Sequence, residues 1–412
     1  MRNDKGFTLV EMVVAMAIFM GIMIIASYGF ERVLGASGQQ SRSVQSNFEG
    51  VVGLEMLRYD VEHAGYGLPW QFQNYVGPIT FRNLGDTANQ EVIADPNEPM
   101  NGMDSTTLNA VDSENVRAIN AGTATKEVNG SSVEHAAGGP DYLVFRSTVS
   151  ALDDAARKWG YINYSTNTVD NLSYLKRWGT PDDITSADRF VTIRSTFTTS
   201  GTQNKILLMD GADDFEVNLS GSALPAGSFF KPADKSEIVV AYGISSASSS
   251  ALRMPYHRTD YYVSRPDDKM PQHCNAGTGI LYKTMVDHAT GGFPDAGYPL
   301  LDCIGDLQVE FEYDANDDGN LTYLSPAGLN LLTASEIRLH LKNVRIYILT
   351  HEGKQDRSYN YPSDSIQVGD PRRGSSGRTL SSSDMASLFT ADWRKYRWKL
   401  YTMVIRPKNL GQ

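Results

Sequence analysis

The feature that most constrains this 412-residue chain is its beginning. From Phe7 to about Phe30 the sequence is almost entirely apolar, with some Gly, Ser and Thr and a single charge, Glu11. At about 1.5 Å rise per residue, a helix of that length crosses a hydrocarbon core of about 30 Å. Arg2 and Lys5 precede the run, which favours a cytoplasmic N-terminus. A carboxylate inside such a helix costs about 2.5 kcal/mol or more unless it finds a partner, so Glu11 reads as a functional residue. A secretory signal peptide would need small residues at a cleavage site after the apolar stretch. Ala26-Ser27 offers one, but the buried acid argues against that reading.

Past the apolar run the pattern becomes amphipathic. Val44, Phe48, Val51, Leu54 and Val61 recur at three-, four- and seven-residue steps, with Glu49, Glu55, Arg58 and Glu62 between them. This predicts one long helix from Phe7 to about His63, with Gly21, Gly29, Gly35 and Gly38 as places where it could loosen. Ala64-Gly65-Tyr66-Gly67-Leu68-Pro69 is the stop. Residues 83–140 are polar and rich in Asn, Asp, Thr, Gly and Ala, and read as a surface insert with little regular structure. Strand patterns follow at 141–146, 190–193, 205–209, 215–219, 237–242, 261–264, 307–313, 344–350 and 398–405. Ser-rich stretches at 245–250 and 374–383 read as exposed loops. The expected class is α+β: a long N-terminal membrane-spanning helix packed on an antiparallel β-rich head.

The segment Gly6-Phe7-Thr8-Leu9-Val10-Glu11 resembles the processing signal of type IV prepilins and pseudopilins. In that family a membrane peptidase cuts after the glycine and N-methylates the new first residue. The resemblance implies cleavage after Gly6, methylation of Phe7, and an assembly role for Glu11 as the fifth mature residue. There the carboxylate would neutralise the terminal amine of a neighbouring subunit, joining two buried charges into one pair. The later segments 299–309, 344–349 and 402–410, and the Asp/Asn/Gly-rich turn after the first of them, resemble PilW-type minor pilins.

The resemblance implies a pilin-like fold with large insertions. It divides the chain into a leader at 1–6, a transmembrane part of the helix at 7–30, an amphipathic periplasmic part at 31–64, and a globular head at 65–412 carrying the 83–140 insert. It also implies a single-pass inner-membrane protein with a cytoplasmic N-terminus and a periplasmic head, reaching the pilus tip outside the cell. The implied partners are prepilin peptidase, other minor pilins and the major pilin. A type II secretion pseudopilin and a calcium-dependent tip adhesin are the alternatives.

In the periplasm implied by this resemblance, Cys274 and Cys303 are expected to form a disulfide closing a loop of about 30 residues, worth about 3 to 4 kcal/mol. A zinc site adding His273 and His288 is the rival, but its spacing fits no standard pattern. The stretch Asp314-Ala315-Asn316-Asp317-Asp318-Gly319-Asn320 fits the first half of a calcium loop, with Asp314, Asn316, Asp318 and Asn320 as ligands. Ser325 stands where the usual bidentate acid would be, and an Asx-rich hairpin turn explains the same residues. No cofactor is required; Ca2+ is the candidate ion.

A net charge of -11 speaks against a generic nucleic-acid partner. The seven histidines are scattered and no nucleophile-elbow or phosphate-loop motif occurs, so no enzymatic activity is expected. His257 and His351 read as solvated, and Asp213-Asp214 and Asp267-Asp268 as surface charge. Tyr256, Tyr261, Tyr262, Tyr359 and Tyr361 read as sheet packing, with adhesion as the alternative for any that are exposed.

Overall fold

The computed structural model describes residues 8–72 and most of 111–411; the longest stretches outside the description are 73–110 and 124–138, and the side chains of 31–49 also lie outside it. The first helix, α1 (Leu9–Glu62), runs for 54 residues without a break at any of its glycines. Thr8 caps it through a reciprocal box with Glu11. Gly65 and Gly67 then turn the chain at φ 82° and 67°, conformations that favour glycine. The backbone N–H of Lys408 closes the far end by donating to the Glu62 carbonyl at 2.8 Å.

Among the described residues eighteen strands follow. The first nine are β1 (Gln71–Phe72), β2 (Val111–Asp112), β3 (Asn115–Val116), β4 (Ile119–Thr123), β5 (Asp141–Ser147), β6 (Trp159–Ile162), β7 (Asp188–Phe197), β8 (Gln203–Leu207) and β9 (Glu216–Asn218). The rest are β10 (Ile238–Ser246), β11 (His257–Ser264), β12 (Gly279–Met285), β13 (Tyr298–Tyr313), β14 (Thr322–Leu324), β15 (Leu341–Glu352), β16 (Ser365–Val368), β17 (Arg378–Ser381) and β18 (Arg397–Ile405). Three short helices, α2 (Pro326–Asn330), α3 (Ala334–His340) and α4 (Ser382–Leu388), punctuate the last third.

The strands form two main sheets. One is antiparallel in the order β18-β15-β13-β12-β11-β5-β4, with β14 beside β13. The other runs β1-β8-β7-β10-β6 with β9 on β7, and only the short β1–β8 pair is parallel. The fold is therefore α+β: an apolar N-terminal helix followed by an antiparallel β-rich domain.

Most of the central strands are buried on both faces, whereas the edge strand β18 leaves Leu400 and Val404 exposed. The central core joins α1 (Leu54, Leu57, Val61) to Leu307, Val309 and Phe311 of β13 and Val344, Ile346 and Ile348 of β15. Val191, Ile193 and Ile244 bring the second sheet into the same core. Its opposite face packs Phe190, Val217, Val239 and Ala241. On the outer side of β15, Tyr347 and Leu349 meet Ile366, Leu380, Phe389, Trp393 and Trp398.

The other face of β13 is polar yet buried. Arg378 holds Asp306 with two hydrogen bonds at 2.8 and 2.5 Å, Tyr347 donates to Glu310 at 3.1 Å, and Arg345 and Asn343 donate to Glu312. Asp141 joins this layer, accepting from Val309 N–H at 2.8 Å, and burial pushes its carboxyl up to about 7.

Several sequence expectations change. Of the 374–383 stretch read as an exposed loop, 378–383 form β17 and the start of α4, because a Ser381–Asp384 capping box starts a helix whose Met385 is buried. Part of the 83–140 insert is ordered: β4 pairs with β5 and buries Ile119 and Ala121, while 83–110 and 124–138 lie outside the described residues. His257 and His351 are buried rather than solvated, since the strands carrying them are covered on both sides. Tyr256, Tyr261 and Tyr262 are packed inside the head. Asp213-Asp214, Asp267-Asp268 and the end of the 245–250 loop lie outside the described residues.

Candidate functional site

Among the described residues, the start of α1 stands clear of the head. From Leu9 to Phe30 none of the apolar segment is buried, and it is long and apolar enough to cross a membrane. Glu11 closes on its own helix start, its carboxylate accepting from the backbone N–H and the hydroxyl of Thr8, each at 2.9 Å. The one charge of the segment therefore sits at its first turn, where helix N–H groups favour an anion. Gly6 and Phe7, the expected processing residues, lie outside the described residues.

The second half of α1 is built into the head. Gly50 and Gly53 let it come down on the start of β13: a Cβ on Gly53 would collide with the Leu300 carbonyl, and one on Gly50 would lie 2.8 Å from the Leu301 side chain. About two turns on from Gly53, Asp60 is buried beside Leu57 and Val61. It pairs with Lys283 of β12 at 2.7 Å and accepts from the Tyr261 hydroxyl of β11 at 2.6 Å. Lys283 also donates to the Ser150 carbonyl at 3.3 Å. Burial raises the Asp60 carboxyl above its ordinary range, and Lys283 and Tyr261 pull it back. Glu62 is held the opposite way, below its usual range, by Lys408 and Arg58. Sequence reading missed this lock. Its signal was an acid at position 60 on the stripe otherwise made by Leu54, Leu57 and Val61.

Beside this lock the same half-helix stays open on one side. Val51, Val52 and Tyr59 are exposed, and with Met56, Arg157 and Lys283 they line a groove of 560 Å³.

The loop sites come out as follows. Cys274 and Cys303 form a disulfide, their Cα atoms 4.9 Å apart, tying the approach to β12 onto β13. Both sulfurs are thereby used, and of the two histidines weighed for zinc only His273 lies with them. His288 instead meets His257, Nε2 to Nδ1 at 3.3 Å, in a buried pair; burial and this neighbour push His257 down to about 3. Asp314 accepts from the N–H groups of Asp318 and Gly319 at 3.2 and 3.0 Å. Asp318 accepts from Asn320 N–H and from the amides of Asn316 and Asn320. This is the hydrogen bonding of an Asx-rich turn between paired β13 and β14, and a cation would have to replace those donors.

Residues 1–27 match the prokaryotic N-terminal methylation motif. That motif marks a pilin- or pseudopilin-like chain processed by prepilin peptidase, with the apolar helix as its membrane anchor. No curated protein and no solved structure matches the chain.

Proposed function

We propose that this chain is a structural minor pilin of the PilW type, matured by cleavage after Gly6 and methylation of Phe7, that joins other minor pilins and the major pilin in the tip or priming complex of a type IV pilus. The observation that supports it most is the division of α1. One half is a bare apolar rod under a methylation motif, and the other is fixed to a large head that leaves one helix face open. A subunit made this way can exchange lipid for neighbouring helices while its head remains folded. The role is structural and needs no catalytic constellation. A large head suits a tip position better than a shaft, where each subunit must fit a tight lattice.

Mass spectrometry of the mature N-terminus in membrane and sheared-filament fractions tests this reading. N-methyl-Phe7 in both fractions is the expected result. Processing confined to the membrane fraction, with co-purification of secretion components, would favour a type II secretion pseudopilin. A start beyond Ala26 would overturn the reading. The Asp314–Asn320 loop is the place for calcium in an adhesin variant of this proposal. There Asp314→Ala with Asp318→Ala should lower the melting temperature only when calcium is supplied, and an equal drop in chelator assigns the loop to a plain turn.

A further inference from the structure

The head carries five tryptophans, and they fall into two groups. Trp393 and Trp398 are buried, and Trp70 is covered by Arg338, whose guanidinium lies 4.3 Å from the ring centre, and by Lys205. Trp159 and Trp178 stand 43% and 47% exposed. Two large rings left in water need an explanation when they sit together, and these do, with centroids 5.0 Å apart and planes tilted by 48°.

Their position is held by the backbone. Trp159 opens β6, the edge strand of the second sheet. The chain then returns beside that edge: Leu175 bridges Ile162, and Lys176 N–H donates to the Tyr161 carbonyl at 2.8 Å. Buried Asp183 accepts from the N–H groups of Trp178 and Gly179 at 2.6 and 3.0 Å and fixes the turn. The Trp178 indole N–H donates to the Trp159 carbonyl at 2.8 Å, which sets the ring's orientation. Tyr161 meets Trp178 edge-on at 6.0 Å, and exposed Lys176 lies 5.9 Å from the same ring centre.

We infer that the Trp159–Trp178 edge is a binding platform for a pyranose oligosaccharide. A sugar ring shows an apolar C–H face and a polar rim. The tilted indoles supply one aromatic floor and one wall for such a face, and Lys176 and Asp182 of the same turn supply rim partners for hydroxyls. The rings are oriented before any ligand arrives, so little ordering is lost on binding. A protein partner is the poorer fit, because a specific interface buries about 1,000 Å² or more and two half-exposed indoles offer a fraction of that. A net charge of -11 disfavours a nucleic-acid strand stacking on them.

Titration calorimetry on the full-length chain in a sugar-free zwitterionic detergent tests the platform. The probes are the β-1,4-linked hexamers of glucose and of N-acetylglucosamine. The expected result is saturable binding of at least one, weakened about tenfold or more by Trp159→Ala and by Trp178→Ala, with Trp178→Phe in between. No saturable binding of either probe overturns the inference, as does binding that survives the double alanine variant. A change in oligomeric state in the variants, read by size exclusion, would reassign the rings to a subunit contact and also overturn it. Both rings are at the surface, so the melting temperature should hold. If an alanine variant fails to fold, Trp159→Tyr and Trp178→Gln carry the same comparison.

Discussion

The two halves of α1 share a backbone and face opposite environments. Leu9 to Phe30 leaves every large apolar side chain at least half exposed, whereas Leu54, Leu57 and Val61 are sealed against β13 and its neighbours. Their charges differ in the same way. Among the described residues Glu11 bonds to its own helix start, while Asp60 is held by Lys283 and Tyr261 from the head. The lesson is that a helix face is apolar for one of two reasons, and the location of its acid tells which. In the second half the fold already contains the partner; in the first, the proposed assembly supplies it from a neighbouring subunit.

The largest effect that would sharpen this contrast is on assembly. Glu11→Val should still insert in the membrane but fall to background in sheared filaments, because a neighbour's buried amine loses a partner worth about 3 kcal/mol or more. Normal incorporation of that variant breaks the charge-pair account. Next comes the lock on the second half. Lys283→Met leaves Asp60 buried without its cation and should cost about 3–5 kcal/mol in chemical denaturation at neutral pH. The sign with pH follows from the raised Asp60 carboxyl. Its neutral form is the one favoured by folding, so its contribution is fullest at low pH and is lost as pH rises through the folded value. The Lys283→Met defect should therefore shrink on acidification, and a defect independent of pH would sink the pairing.

Smaller effects separate the two faces of the embedded half. Gly53→Val drives a side chain into the Leu300 carbonyl and should destabilise the head by about 2 kcal/mol, measured by its melting temperature. Val52→Asp, on the open groove, should change head stability by less than about 0.5 kcal/mol while lowering filament incorporation. Equal stability losses in both variants would mean that the open face is part of the core.

Much of this plan was legible in the sequence because it rests on local patterns. The 3.6-residue rhythm and the Gly-Pro stop delimit α1 to within two residues at each end, and nine strands announced themselves by alternation. The missed strands had weaker signals. β6 is a four-residue edge strand holding a glycine, and β12 begins with Gly279, so neither shows a clean apolar rhythm. The histidines were misjudged for a related reason. Polar neighbours suggest water, yet β11 is buried at all eight of its positions, charged ones included, and Arg258 finds Asp260 two residues away at 2.6 and 2.8 Å.

The sequence by itself determined the membrane-length apolar run, the place of its single acid, the processing motif, the long helix and the β-rich class. Each is a property of residues near one another along the chain, where period, length and charge act without knowledge of the fold. Only the tertiary structure decided which acid would be locked to Lys283, which face of α1 would stay open, and which tryptophans would remain in water. Those outcomes depend on strands separated by a hundred residues or more meeting in one register, as when Tyr261 reaches Asp60 across 201 positions. No local pattern encodes such a meeting, because the energy that selects it comes from burial shared by the whole core.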